Sequence, residues 1–139
     1  MDCPACKKAM ITLELADVEI DHCVSCGGIW LDAGELELLM DAPEKARELL
    51  NSFHEDNTAT EQDRRCPICR KNMAKILVGG ANPPLRIDQC RRNHGLWFDR
   101  GELEDILRQG RLDKESRILR LLADMFGKEF DTTAAEPQS

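Results

Sequence analysis

The chain has 139 residues, 26 acidic against 19 basic, for a formal net charge of −7. Two Trp, four Phe and no Tyr leave little to bury if the chain divides into small units, and units of roughly 50 residues usually need a disulfide, a metal or a partner. No apolar run approaches the ~18 residues of a membrane-spanning helix, and Met1-Asp2-Cys3-Pro4 lacks the basic start and apolar run of a secretory signal.

In chain order, the first feature is the turn Cys3-Pro4-Ala5-Cys6. A strand is predicted from Met10 to Leu15, and a turn leads to a second strand ending at Cys23. A further turn delivers Ile29-Trp30-Leu31 as a third strand. Asp32 and Glu35 have the spacing of a capping box with Asp32 as N-cap, and Leu36, Leu39 and Met40 share one face of the helix that follows. Pro43 suits the first turn of a second helix, in which Ala46, Leu49, Leu50 and Phe53 recur at helical spacing. Asn51 to Asp63 is polar, without Pro or Gly, and reads as a linker.

The same order then returns. Cys3-Pro4-Ala5-Cys6-Lys7-Lys8-Ala9-Met10 reappears as Cys66-Pro67-Ile68-Cys69-Arg70-Lys71-Asn72-Met73, an offset of 63. Gly28-Ile29-Trp30-Leu31-Asp32-Ala33-Gly34-Glu35-Leu36 reappears as Gly95-Leu96-Trp97-Phe98-Asp99-Arg100-Gly101-Glu102-Leu103, an offset of 67. The four extra residues fall in Gly79-Gly80-Ala81-Asn82-Pro83-Pro84, where a hairpin loop tolerates them. The second copy predicts strands from Met73 to Val78, up to Cys90, and over Leu96-Trp97-Phe98. Its helix is capped by Asp99 with Glu102 and carries Leu103, Ile106 and Leu107 on one face. The expected organisation is one repeat with its helices over residues 1–50, a linker over 51–63, a second repeat over 64–110, an amphipathic helix over 111–131 and a disordered tail over 132–139. That last helix, with Ile118, Leu121, Leu122 and Met125 at helical spacing, either folds over the second repeat or pairs with another chain.

Cys3-x2-Cys6 and Cys23-x2-Cys26 stand sixteen residues apart, the spacing of a four-cysteine zinc site. Two residues between cysteines let one tight turn aim both thiolates inward, and a hairpin joins two such turns. The second copy has Cys66, Cys69 and Cys90, but Asn93 where the fourth cysteine would stand, followed by His94. An imidazole reaches further than a thiol, so Cys66, Cys69, Cys90 and His94 are expected to form a site of three cysteines and one histidine. Seven cysteines and one histidine then make two full sets, and two structural Zn²⁺ are expected. Iron, or thiol exchange through the Cys-x2-Cys pairs, is the lesser alternative. His22 and His54 are read as surface residues. Trp30 and Trp97 are read as the main core residue of each copy, beside its own pair of cysteine turns. The fold class is small, α+β and metal-bound: two zinc ribbons, each a short three-stranded antiparallel sheet with two zinc knuckles, followed by helices.

The pattern Cys-Pro-x-Cys-x3-Met, then Ile-Asp-x-Cys-x2-Cys-x-Gly-Ile-Trp-Leu-Asp-x-Gly-Glu-Leu, resembles the bacterial zinc fingers named for similarity to the zinc ribbon of transcription factor IIB. The likeness covers Cys3 to Met40 and Cys66 to Leu107, and departs from the pattern at Asn93 and His94. It implies a ribbon followed by a helix, and a connection with transcription.

Residues 1–50 carry four basic and eleven acidic side chains, whereas residues 64–110 carry ten basic and five acidic. The basic copy makes Arg64, Arg65, Arg70, Lys71, Arg91 and Arg92 candidates for nucleic-acid contact. The acidic remainder opposes that role, so a non-catalytic protein-interaction module or adaptor in the cytoplasm is the first expectation. Nucleic-acid binding through the second repeat is the alternative. The partner protein, self or foreign, is not specified; no membrane and no small-molecule substrate are expected.

Overall fold

The computed structural model describes residues 1–15, 17–39, 43–56, 63–78, 85–110 and 120–121. Each repeat builds a three-stranded antiparallel unit. In the first these are β1 (Ile11–Leu15), β2 (Val18–His22) and β3 (Ile29–Asp32), followed by α1 (Glu35–Leu39) and α2 (Pro43–Asn51). Within the stretch expected to be a linker, β4 (His54–Glu55) joins the sheet. The second repeat supplies β5 (Ala74–Val78), β6 (Leu85–Gln89), β7 (Gly95–Phe98) and α3 (Glu102–Gly110).

The two ribbons form one seven-stranded sheet in the order β1-β2-β3-β7-β6-β5-β4. The seam is the antiparallel pair β3–β7, with Ile29 opposite Phe98, Trp30 opposite Trp97 and Leu31 opposite Leu96. Trp30 and Trp97 are equivalent residues of the repeat, so a local two-fold axis passes through their pair. Strand alternation sends Ile29, Leu31, Leu96 and Phe98 into the large apolar cluster and the two tryptophans into a separate one. The large cluster takes Leu36 and Leu39 of α1, Ala46 of α2, and Leu103, Ile106 and Leu107 of α3.

At the seam the backbones approach closely. A Cβ on Gly28 would overlap the Trp97 ring, and one on Gly95 would overlap Trp30 and the Leu31 carbonyl. Each tryptophan therefore lies on a glycine of the other repeat, not only beside its own knuckles. Both rings are fully buried.

The helix starts differ from the expected capping box. Asp32 N–H does donate to Glu35 Oε1 at 2.7 Å, and Asp99 N–H to Glu102 Oε1 at 2.8 Å. The aspartate carboxylates, however, are taken by the indoles: Trp30 Nε1–H reaches Asp32 Oδ1 at 2.8 Å, and Trp97 Nε1–H reaches Asp99 Oδ1 at 3.0 Å. Gly34 and Gly101, at φ 92° and 87°, turn the chain between the aspartate and the helix. Their carbonyls accept the N–H of Leu38 and Asp105 at 3.3 and 3.2 Å, which makes the glycines the N-caps.

Of the C-terminal helix expected over 111–131, only Arg120 and Leu121 lie within the described residues. Both are helical, and Leu121 packs against the large cluster. The expected tail lies outside the described residues.

Glu104, on α3, is 3% exposed, and neither of its carboxylate oxygens has a hydrogen-bond partner. Burial raises its pKa from the ordinary 4.5 to about 7, against the milder pull of its own backbone N–H and Arg108. A raised carboxylate pKa means that the folded state resists ionisation, so this group costs stability increasingly as pH rises above 4.5. Glu104→Gln removes this titration, so the stability of the variant relative to the parent should rise by about 1 kcal/mol between pH 6 and pH 8, measured by denaturant unfolding of the zinc-loaded chain. A gain that grew on acidification would contradict this. Gly28→Ala and Gly95→Ala should each cost about 1–3 kcal/mol through overpacking, read as a lowered midpoint in the same experiment.

Candidate metal centre

Four short turns aim the donors. In the first three, a backbone N–H closes onto a carbonyl four residues back: Lys7 to Cys3 at 3.0 Å, Gly27 to Cys23 at 2.8 Å and Arg70 to Cys66 at 2.8 Å. The closing residue is left-handed each time, with φ of 69° at Lys7, 81° at Gly27 and 62° at Arg70. Backbone N–H groups inside the turns point at sulfur, as Ala5 and Cys6 do toward Cys3 Sγ at 3.3 and 3.4 Å, and Ile68 toward Cys66 Sγ at 3.4 Å.

The fourth turn is one residue tighter. Asn93 N–H closes onto Cys90 O at 2.9 Å, three residues back, and Asn93 itself takes the left-handed φ of 61°. Asn tolerates that conformation better than most side chains. The shortened turn brings His94 to the place that Cys26 holds in the first repeat. The hairpin length is kept, since Cys23 N–H bonds Gly28 O at 3.0 Å and Cys90 N–H bonds Gly95 O at 3.1 Å. The His94 carbonyl also accepts Ala33 N–H at 2.9 Å, tying the second centre to the first repeat.

Cys3, Cys6, Cys23 and Cys26 place their sulfurs within 4.8 Å of one another, as do the donors of Cys66, Cys69, Cys90 and His94. In the first set Cys3 lies 3.6 Å from Cys26 and Cys6 lies 3.2 Å from Cys23. In the second, Cys69 lies 3.7 Å from Cys90, and His94 Nδ1 lies 3.4 Å from Cys90 and 3.8 Å from Cys66. A tetrahedron of Zn–S bonds has sulfurs about 3.8 Å apart, and a mixed S/N edge is about 3.6 Å. Both donor sets fit Zn²⁺, and Nδ1 is the histidine donor.

Electrostatics make the same demand. Burial pushes the Cys3 thiol well above its ordinary range and Cys66 to about 11. Burial also acts upward on Cys23, yet hydrogen bonds from the Cys26 and Ser25 backbones and Cys6 leave it lowered to about 7. Cys69 is lowered to about 6, chiefly by the Lys71 backbone N–H. Clusters that mix ready and reluctant thiols lose their remaining protons when a dication enters, so metal affinity weakens as the pH is lowered.

Residues 2–42 and 65–109, well over half the chain, match the family described as transcription factor zinc-finger, of the zinc-ribbon TFIIB type. The chain belongs to that family. No curated protein and no solved structure matches it. The family and the two donor sets together establish a protein with two structural zinc ions. All seven cysteines serve in these clusters.

Two residues were expected at the surface, and one is not there. His22 is 2% exposed, and its Nδ1–H donates to the Gly28 carbonyl at 3.1 Å; it is a buried brace of the hairpin, not a surface residue. His54 is exposed, as expected.

The basic candidates separate. Arg64 is mostly buried, its Nε 4.0 Å from the Asp99 carboxylate that holds Trp97. Arg91 forms a two-pronged pair with Glu55 at 3.0 and 2.7 Å. Lys71 and Arg92 are exposed. Arg65 and Arg70 line a cleft of about 310 Å³ together with Met1, Asp2 and Lys7 of the first repeat. Lys7 is the repeat equivalent of Arg70, a sequence relation that signals this pairing once the two-fold arrangement is known.

Protein purified under reducing conditions should contain two zinc ions per chain by elemental analysis. Cys26→Ser and His94→Ala should each lose one. His22→Ala should keep both while lowering thermal stability, because it removes the brace to Gly28 and no metal donor. Retention of two zinc ions by His94→Ala would remove His94 from the ligand set.

Proposed function

We propose that this zinc-binding protein acts as a protein-interaction adaptor, a small rigid platform with no catalytic role. The observation that carries the reading is how the second repeat uses its charge. Lys75, Arg86 and Arg91 are paired with Asp88, Asp56 and Glu55 at 2.7 Å within the chain, and Arg64 is mostly buried 4.0 Å from Asp99. Charge spent internally is not free for phosphate. Both tryptophans are buried, so neither offers the stacking platform on which single-stranded nucleic acid is held. The chain as a whole is acidic, which lowers non-specific affinity for nucleic acid.

The inter-repeat cleft favours a second reading. Lys7, Arg65 and Arg70 converge there and could seat a phosphate, which would place nucleic acid among the ligands of a transcription-connected family.

The zinc-loaded chain, used as bait in a nuclease-treated lysate of its own organism, should retain a stoichiometric protein partner. The same chain should show only weak anisotropy changes with DNA and RNA oligonucleotides at about 50 mM salt, where phosphate contacts are strongest. Tight oligonucleotide binding with a steep salt dependence, abolished by Lys7→Glu with Arg70→Glu, would establish the second reading instead.

A further inference from the structure

The repeats differ at their outer edges. In the second, β5 is covered by β4: His54 pairs with Leu77, Glu55 with Ile76, and Asp56 N–H donates to Lys75 O at 2.8 Å. This added strand is acidic and lies over basic residues. Asp56 pairs with Arg86 at 2.7 Å and Glu55 with Arg91 at 2.7 Å. In the first repeat β1 occupies the place of β5, and among the described residues no strand pairs with its outer side. Thr12, Leu13 and Glu14 stand where Lys75, Ile76 and Leu77 stand in β5.

We propose that the β1 edge accepts an extended segment of a partner protein as an eighth strand, with basic side chains flanking an apolar one. The chemistry follows from the residues that replace the clasp of the second repeat. Arg86 corresponds to Glu19, and Arg91 to Val24, which is 64% exposed. Leu77, opposite His54, corresponds to Glu14. Glu14 and Glu19 are exposed and directly opposite each other across β1–β2, and neither has an ion pair among the described residues. Asp21 lies on the same face, accepting the Thr12 hydroxyl at 3.0 Å. The nearby Glu35 carboxyl is raised by burial, with Asp32, Asp21 and Glu19 adding repulsion. A segment in the β4 position would therefore set basic residues against Glu14 and Glu19. Its middle residue would cover Leu13, which is only partly buried, and approach Val24. A second copy of β1 fits poorly, because self-pairing brings glutamates of two edges together. Main-chain pairing supplies affinity and the flanking side chains supply selection.

This inference rests on the adaptor reading and names its surface, but its test is separate. The full zinc-loaded chain would be titrated with a labelled peptide alternating lysine and valine, and with its glutamate–valine counterpart, followed by amide NMR and hydrogen exchange. The basic peptide should slow exchange at Thr12 and Glu14. Glu14→Lys with Glu19→Lys should weaken its binding about tenfold while two zinc ions remain bound. Glu14→Pro removes an outward donor without touching the β2 ladder and should abolish binding. Equal binding of the acidic peptide, shifts confined to other surfaces, or a concentration-dependent dimer protecting β1 without peptide would each overturn the assignment. A partner protein retained by the bait but leaving β1 amides unprotected would overturn it too, with the adaptor reading intact.

Discussion

The reciprocal packing of each tryptophan on a glycine of the other repeat governs this molecule. It requires β3 and β7 to lie side by side in one register, because only there do Gly28 and Gly95 leave room for the rings. From that pairing follow the continuous sheet, the joining of both helical layers into one core, and the meeting of the first knuckles of each repeat around the cleft. The indole N–H groups extend the arrangement outward through Asp32 and Asp99 to the turns that start α1 and α3.

Metal supplies what the small core lacks. A structural zinc site contributes on the order of 10 kcal/mol to folding, comparable with the whole net stability of an ordinary domain. That margin explains how the protein tolerates Glu104, a buried carboxyl without a hydrogen-bond partner, and the close buried pair of Lys75 and Asp88 at 2.7 Å.

The eight ligands could be read from the sequence because chelation is a local demand: a turn of fixed length must aim two donors inward. Even the exchange of a cysteine for His94 was visible, although its cause, a turn closed one residue early with Asn93 left-handed, required the backbone. What could not be read is non-local. Nothing in the spacing of either repeat says that β3 meets β7, that His54 and Glu55 leave a polar stretch to become a strand, or that His22 turns inward to the Gly28 carbonyl. The aspartates of the two expected capping boxes misled for a different reason. The right residues were present, but the glycine that follows breaks the helical path, freeing the carboxylate for an indole.

The cysteines of both centres share one apolar cluster with the two tryptophans: Cys3, Cys23, Cys66 and Cys90 are packed with Trp30, Trp97 and Met73. The second centre is further tied to the first repeat by the bond from Ala33 to the His94 carbonyl. Ions bound on opposite sides of a common wall are not independent ligands. Whichever binds first orders part of the wall that the other requires, so occupancy of the two sites is thermodynamically linked. Each centre then holds its ion more tightly when the other is filled, and a chelator that strips one centre loosens its neighbour.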